Sequence, residues 1–524
     1  MKFFNQKRKG FGLLCAALML GGCVQFDDKL STEEFPGSEV EKSTYNLEMV
    51  LAEGYRFWAQ AVVKNHVPDA LVISDYSEAS LDENSNTLGA FQNRYDYVRT
   101  EFRNDNLWND SYSAINQMNQ IIKISEDNKP VDMVFASQRG RLEGESRFIR
   151  AYTNFMLVRY YGKQYDPNTA STDPGIVLRT APAEGFATGG RASVQEVYDL
   201  VLEDLEIAMD SLPQAYNSAL HSDFIGYRYR ANKYDAGALK ARVLFQMNKI
   251  KEARLAVEKL IGNSYGSIVD MPEIAPAAMQ VPDVNTVTDL FTSASLAAGS
   301  GLRNTTANYV ISEPLNLMST AKELVKGAAS NIFMNKEFML NYMNEQGDFK
   351  NSDTLRLRTF VKETPMDPRP GQEADTVYIF NKFMLEGSNN VNWPSIRLAE
   401  LLLIRMECLA LEGGASAAVR DLNLLRQLRG AKQIESTPPA AELLEIIALE
   451  RALELVGEGE RFFNWKRMGA YNAIIENKYS SVAYHTFSRR SAQDISWDGP
   501  ETLYRIPLAE IQRNPDLSDA DQNP

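Results

Sequence analysis

Catalysis and metal binding leave spacing signatures, and few of them occur in this chain. The three histidines, His66, His221 and His485, lie far apart and form no His-Glu-x-x-His or comparable ligand spacing. No Gly-x-Ser-x-Gly elbow, phosphate-binding loop or dinucleotide fingerprint stands in a strand-to-helix context. The 69 acidic residues offer many chance carboxylate pairs of the kind that cleaves glycosides, and such partners need not be close in sequence. Spacing therefore does not decide on a glycosidase, although the lack of any motif favours binding over turnover. The densest charged constellation is Glu450, Arg451 and Glu454, followed by Glu458, Gly459, Glu460 and Arg461. With no nucleophile nearby, charges at i, i+4 spacing ordinarily form a solvated helix face worth roughly 0.2–0.5 kcal/mol per pair. Glu458 and Arg461 read as bracing a turn.

The elements that carry these charges are strongly patterned. Ile396 to Leu411 is apolar almost all round, through Leu398, Leu401, Leu402, Ile404, Met406, Cys408 and Leu409, which predicts a buried helix. Gly413 and Gly414 stop it; Ala417, Ala418, Leu422, Leu425 and Leu428 resume at helical spacing, and Pro438-Pro439 separates a third helix, Ala440 to Val456. Two antiparallel helices and a short turn are the implied unit. A second such hairpin is predicted from Ala231 to Met247 and Ile250 to Ile261. Ala253 follows its turn residue Asn248 by the same interval as Ala418 follows Gly413, and Leu244 corresponds to Leu409. This arrangement resembles a tetratricopeptide-type repeat.

Several motifs recur in a fixed order. Arg397-Leu398-Ala399-Glu400, Glu450-Arg451-x-x-Glu454-Leu455, Glu458-Gly459-x-Arg461 and Trp465-x-Arg467-x-Gly469 are similar to the C-terminal signature of the SusD/RagB family, the nutrient-binding outer-membrane lipoproteins of the Bacteroidota. The closing stretch, with Arg505, Ile506, Pro507, Glu510, Asn514 and Pro515 and then Gln522-Asn523-Pro524, also resembles that family's end. So do Arg147-Phe148-x-x-Ala151-Tyr152 and Tyr160-Tyr161-Gly162. The resemblance implies a mainly all-α fold, in which tetratricopeptide-like hairpins form a superhelix with an irregular, loop-rich subdomain inserted. The motif residues are then structural: Arg397, Glu400, Glu450, Arg451, Glu454, Glu458, Gly459, Arg461, Pro507, Asn514 and Pro515.

At the other end, Lys2, Lys7, Arg8 and Lys9 precede an apolar run from Phe11 to Leu20, too short for a permanent membrane span but suited to a signal peptide. Leu20-Gly21-Gly22-Cys23 resembles a bacterial lipobox, so residues 1–22 are expected to be removed and Cys23 lipidated. Acyl chains there would anchor the chain without a spanning helix. Of the three cysteines, only Cys408 then keeps a thiol, and no intrachain disulfide can form. Removing residues 1–22, with four basic and no acidic side chains, takes the formal charge from −14 to −18. So acidic a chain is poorly suited to nucleic acid.

Residues 23–43 read as a polar tether, residues 44–263 as an N-terminal helical repeat region, 264–394 as the irregular insertion, and 395–524 as the C-terminal helical region. The first helix is expected from Thr44 to Val63, followed by a polar and aromatic loop from Val67 to Phe102. Further helices are expected over Asn106–Glu126, Met133–Tyr161 and Ser193–Leu212. The last is opened by a capping box, Ser193 with Glu196. In the first of these stretches, Trp108, Tyr112, Ile115 and Met118 share one face and read as core.

The resemblance implies a lipoprotein at the cell outer membrane, facing the exterior. It would bind an oligosaccharide or an oligopeptide and pass it to a SusC-like TonB-dependent transporter, with no cofactor and no metal. Sugar recognition asks for flat aromatic faces and for planar amides or charged groups. By type and by position in the long loop and the insertion, Tyr76, Asn84, Arg94, Tyr309 and Trp393 are the candidates for ligand contact. A surface glycosidase or peptidase, and a helical scaffold that binds only protein, are the alternatives from other classes.

Overall fold

The computed structural model describes residues 40–74, 77–79, 101–127, 131–183, 188–214, 217, 219–220, 230–261, 309–311, 332–334, 356, 361–366, 375–380, 391–393, 396–429, 431–479 and 496–524. Cys23, the tether, Tyr76, Asn84, Arg94 and most of the insertion lie outside these residues.

Helix α1, Thr44–Ala59, starts where the Ser43 hydroxyl accepts from the Asn46 amide at 3.2 Å, satisfying one of the orphan donors of the first turn. It runs through a wider π-type stretch, Gln60–His66, into α2, Val67–Val72. The loop expected from Val67 therefore begins as helix. Val67, Ala70 and Ile73 are buried and prolong the i, i+3 apolar spacing.

Helices α3 (Glu101–Glu126), α4 (Phe135–Tyr161) and α5 (Val194–Ser211) follow; α3 packs on α1, α4 on α3 and α5 on α4. The expected capping box is present at Ser193 and Glu196. Helix α5 rests on α6 (Lys233–Gln246), which pairs with α7 (Ile250–Ile261). After the insertion come α8 (Leu398–Leu411), α9 (Ala415–Arg429), α10 (Ala440–Glu454) and α11 (Arg461–Ala470). Because α7 packs on α8, the helix array continues across the intervening 130-odd positions as though they were absent. All of α8 except the half-buried Leu409 is buried, as its apolar circumference predicts. Among the described residues no helix is long and apolar enough to cross a membrane.

The two hairpin turns are the same structure. Asn248 (φ 57°) and Gly413 (φ 86°) both take the left-handed conformation. The Asn248 amide donates to the carbonyl of Phe245 at 3.0 Å and the Lys249 amide to that of Leu244 at 3.0 Å. In the other hairpin Gly413 donates to Ala410 at 3.3 Å and Gly414 to Leu409 at 2.7 Å. This Schellman-type closure satisfies the last helical carbonyls, and the buried Ala253 and Ala418 let the paired helices approach. Asparagine tolerates φ > 0 better than most residues. Here its amide also exchanges hydrogen bonds with Arg467 of α11, donating to the carbonyl at 3.1 Å and accepting from Nη1 at 3.2 Å.

Strands interrupt the helical body. β2 (Pro174–Val177) pairs with β3 (Arg191–Ser193). In the insertion β4 (Tyr309–Ile311) pairs with β8 (Val391–Trp393), and a four-stranded antiparallel sheet has the order β1 (Ser77–Ala79), β5 (Ile332–Met334), β7 (Asp375–Phe380), β6 (Val361–Met366). The insertion read as irregular thus contains ordered pairing, and Thr376 to Phe380, a run of β-branched and aromatic residues, is the segment with the composition for it.

The core is continuous and aromatic: Trp58, Trp108, Trp465, Tyr160, Tyr161, Tyr198 and Tyr504 are fully buried. Trp108 packs edge-on against Tyr161 at 4.9 Å, as its position in the apolar stripe predicts. The closing segment folds back onto this core. Tyr504 donates its amide to the Tyr160 carbonyl at 2.8 Å. Arg191 donates to the carbonyls of Asp521 (2.7 Å) and Tyr161 (2.8 Å) and to Asn523 Oδ1 (2.9 Å). A last short helix, α12 (Leu508–Arg513), begins after Pro507, and Asn514 donates to the Gly189 carbonyl at 2.9 Å.

Candidate functional site

The charged constellation at 450–461 is not a solvated face. Glu450, Arg451 and Glu454 are 1%, 5% and 0% exposed, and the carboxylates sit within a group of arginines. Glu454 accepts from Arg429 Nε (2.9 Å) and Nη2 (2.7 Å), from Arg397 Nη1 (3.0 Å) and from Arg356 Nε (2.9 Å). Glu450 accepts from Arg426 Nε at 2.8 Å and from Arg356. Glu458 accepts from Arg397 Nε at 3.0 Å. Burial alone would raise the Glu454 carboxyl, but Arg429, Arg356 and Arg397 hold it well below the usual carboxylate range.

A second buried network is built on Glu400 and Glu407 of α8. Glu400 accepts from Arg242 Nε of α6 at 2.7 Å, and Glu407 accepts from Arg451 (3.2 Å), Arg467 and the Tyr479 hydroxyl (2.6 Å). Behind them Glu460 accepts from Arg159 Nη1 at 2.7 Å and stands 4.0 Å from His66 Nε2. Gly459 takes φ 84°, and a Cβ there would lie 3.2 Å from His66 Nε2. The position thus requires glycine both for its backbone and for space. Arg461 is half-buried, and Pro515 is exposed at the surface.

What these networks hold is the insertion. Arg356 belongs to it and is fully buried between Glu450 and Glu454. Arg397 caps α8 only four residues after Trp393, the last residue of β8. The register of β4 with β8 sets Tyr309 opposite Trp393, so two candidates separated by 84 positions become direct cross-strand partners. Pairing of β1 with β5 likewise joins the loop that carries Tyr76, Asn84 and Arg94 to the insertion. No local feature of the sequence announced either pairing. Arg356 and Arg429 as partners of Glu454 were missed for the same reason.

Among the described residues no group of His, Cys, Asp and Glu converges as a metal site would. The side chains that do converge are salt-bridged in pairs and clusters, so the arrangement is a rigid frame for a surface.

Two family models match the chain: one described as the SusD family over residues 328–524, and one described as starch-binding, associating with outer membrane, over residues 32–245. The chain belongs to the SusD/RagB family. Solved SusD structures share its fold. A SusD superfamily protein from Bacteroides thetaiotaomicron is 20% identical, with a TM-score of 0.67 over 92% of this chain and 99% of that one. A SusD superfamily protein from Bacteroides vulgatus is 19% identical, with a TM-score of 0.65 and coverage of 92% and 99%. A protein described as a laminarin-binding SusD-like protein is 19% identical, with a TM-score of 0.62 and the same coverage. No curated protein matches the chain. For this SusD/RagB protein the buried arginine–glutamate frame explains the signature motifs: each motif carboxylate described here holds a helix or an insertion residue in place.

Proposed function

We propose that this SusD/RagB protein binds an oligosaccharide at the outside of the outer membrane and delivers it, uncleaved, to a SusC-like TonB-dependent transporter. The observation that carries the reading is the register partnership of Tyr309 and Trp393, which puts two aromatic residue types beside one another on the excursion that Arg356 and Arg397 fasten to the helical frame. Aromatic faces suit the apolar faces of sugar rings. The laminarin-binding relative and the starch-binding family description support a glycan over a peptide. Tyr76, Asn84 and Arg94 complete the proposed contact set from the loop that β1 joins to the insertion's other, four-stranded sheet. Lipidation at Cys23 supplies the anchor, and holding binder and transporter together raises the local ligand concentration at the transporter mouth. Micromolar affinity, about −8 kcal/mol, suffices, since the ligand must also be released.

The test is a calorimetric titration of laminariheptaose and maltoheptaose into the unlipidated chain, with the oligosaccharide recovered and sized afterwards. At least one glycan should bind and return at its original length, and Trp393→Ala should weaken binding at least tenfold. Shortened product from a highly purified sample would support the glycosidase reading instead.

A further inference from the structure

A groove of about 420 Å³ opens well away in sequence from the insertion, between α3, the stretch around Arg179 and the closing helix α12. Its size lies within the roughly 300–1,000 Å³ of small-molecule sites. The floor is built from Trp108 and Tyr112 of α3, and one wall is held rigidly. Glu510 accepts from Trp108 Nε1 at 3.3 Å, from Asn514 Nδ2 at 3.1 Å and from Arg179 Nη2 at 2.6 Å. The Arg179 guanidinium lies over the Tyr112 ring, 4.4 Å from its centroid, and its Nε is buried without a hydrogen-bond partner among the described residues.

The opposite wall is a polar row. Asn109, Ser113 and Asn116 fall at i, i+4 and i+7 on α3 and so share one helix face. Asn116 uses its oxygen to accept from the Ala183 amide at 2.8 Å, which leaves its NH2 group as a donor. Asn109 and Ser113 make no side-chain hydrogen bond among the described residues, and Arg513 at the rim is exposed. Charges balance: two carboxylates, Asp105 and Glu510, and two guanidinium groups, Arg179 and Arg513, line the groove.

From this geometry we infer that the groove is a second binding site, separate from the insertion, for a short neutral saccharide. A balanced charge gives no gain from an ionic ligand, whereas alternating amide, hydroxyl and guanidinium groups match a ligand that offers a donor and an acceptor at every hydroxyl. The prefixed wall means that little side-chain freedom is lost when the ligand arrives. Such a site would hold a second saccharide molecule, independently of one bound at the insertion. The inference rests on the glycan reading proposed above.

Its test uses the same full chain, with laminariheptaose and maltoheptaose as probes. For at least one of them the wild type should show two binding events. Asn109→Trp, at an exposed position, and Arg513→Ala should each weaken one event at least tenfold with an unchanged melting temperature, and Trp393→Ala should weaken the other. A single event lost in Trp393→Ala and untouched by Asn109→Trp overturns the groove site and leaves the glycan reading standing. A single event lost in Asn109→Trp alone keeps the groove and removes the insertion site. If neither glycan binds, both fall. If Asn109→Trp spares every binding event but weakens co-purification of a transporter, the groove is a protein-docking surface and the saccharide assignment is overturned.

Discussion

Arg356 donates from Nε to the Glu454 carboxylate at 2.9 Å across a separation of 98 residues, and with its bond to Glu450 it joins the inserted excursion to the helix that carries the family signature. Arg356 shares that carboxylate with Arg397 and Arg429, so a helix-terminal glutamate becomes the junction of three segments of chain.

Replacing Glu454 with glutamine keeps the shape and removes the charge. Three buried guanidinium groups then lose their common counter-ion, and breaking a buried ion pair from one side costs about 3–5 kcal/mol. Urea unfolding of Glu454→Gln should show a loss of that order. A loss under 1 kcal/mol would mean that the cluster is open to water.

Acid sensitivity should come first from His66. Burial, with Arg159 close by, pushes its imidazole down to about 3, while in the unfolded chain it titrates near 6.5. The unfolded state therefore binds the extra proton as pH falls below 6.5, and stability falls with it, by up to about 1.4 kcal/mol per pH unit. Glu460 opposes burial through Arg159, Arg242 and His66 and is held down to about 2, so its own loss begins only below about 4.5. Asp421, pushed up to about 6 by burial, titrates in the same window with the opposite sign. The difference in unfolding free energy between wild type and His66→Gln, measured from about pH 6.5 to 4.5, therefore reads the histidine, and His66→Gln should remove the loss of stability toward low pH. An unchanged slope would assign the effect elsewhere.

Lys466 is 2% exposed, and its ammonium has no hydrogen-bond partner among the described residues. Burial, with Arg159 nearby, lowers it to about 7. Between pH 7 and 10.5 the unfolded state holds more protons, so stability should rise with pH across that window. Lys466→Met should remove the rise and stabilise the protein at pH 7 and below by roughly a few kcal/mol. Melting curves of the two proteins at pH 6 and pH 9 read both effects, and a destabilised Met variant at pH 6 would refute the account.

Gly459→Val should lower the melting temperature by several degrees, because it strains a residue at φ 84° and crowds His66. Glycan affinity measured below the melt should stay within about twofold, a change of roughly 0.4 kcal/mol. Lost affinity with an unchanged melt would move the site to this turn.

Cys23→Ala should leave the fold intact and shift the protein from membrane to soluble fractions in cells lacking the transporter. A variant that stays membrane-bound there would exclude lipidation as the anchor.

The helices were legible in the sequence because each carries its own period. Asn248 and Gly413 could be matched as turn residues from spacing alone, and Ser193 with Glu196 announced a cap that the structure contains. Glu450 and Glu454 misled, because i, i+4 charges look alike whether they meet water or an arginine from elsewhere in the chain. Non-local pairing explains the other gaps: nothing near Tyr309 indicates Trp393 as its partner, and nothing near Ser77–Ala79 indicates Ile332–Met334. The groove was hidden for a different reason. Asn109, Ser113 and Asn116 look like the ordinary wet side of an amphipathic helix until α12 is laid beside them.

The docking of the closing segment also sets an order of events during biogenesis. Trp108 meets Glu510 across 402 positions, Tyr161 meets Asn523 across 362, and Arg179 meets Glu510 across 331. Contacts that distant form slowly, since the loops they close cost entropy before any burial rewards them. While the chain emerges from the ribosome, the carbonyls of Tyr160 and Tyr161 lack the Tyr504 amide and the Asn523 side chain that complete them. The early helices must wait for the last two dozen residues. For a chain exported as proposed, this delay would be useful, since a polypeptide not yet locked by its final segment is easier to thread through a membrane.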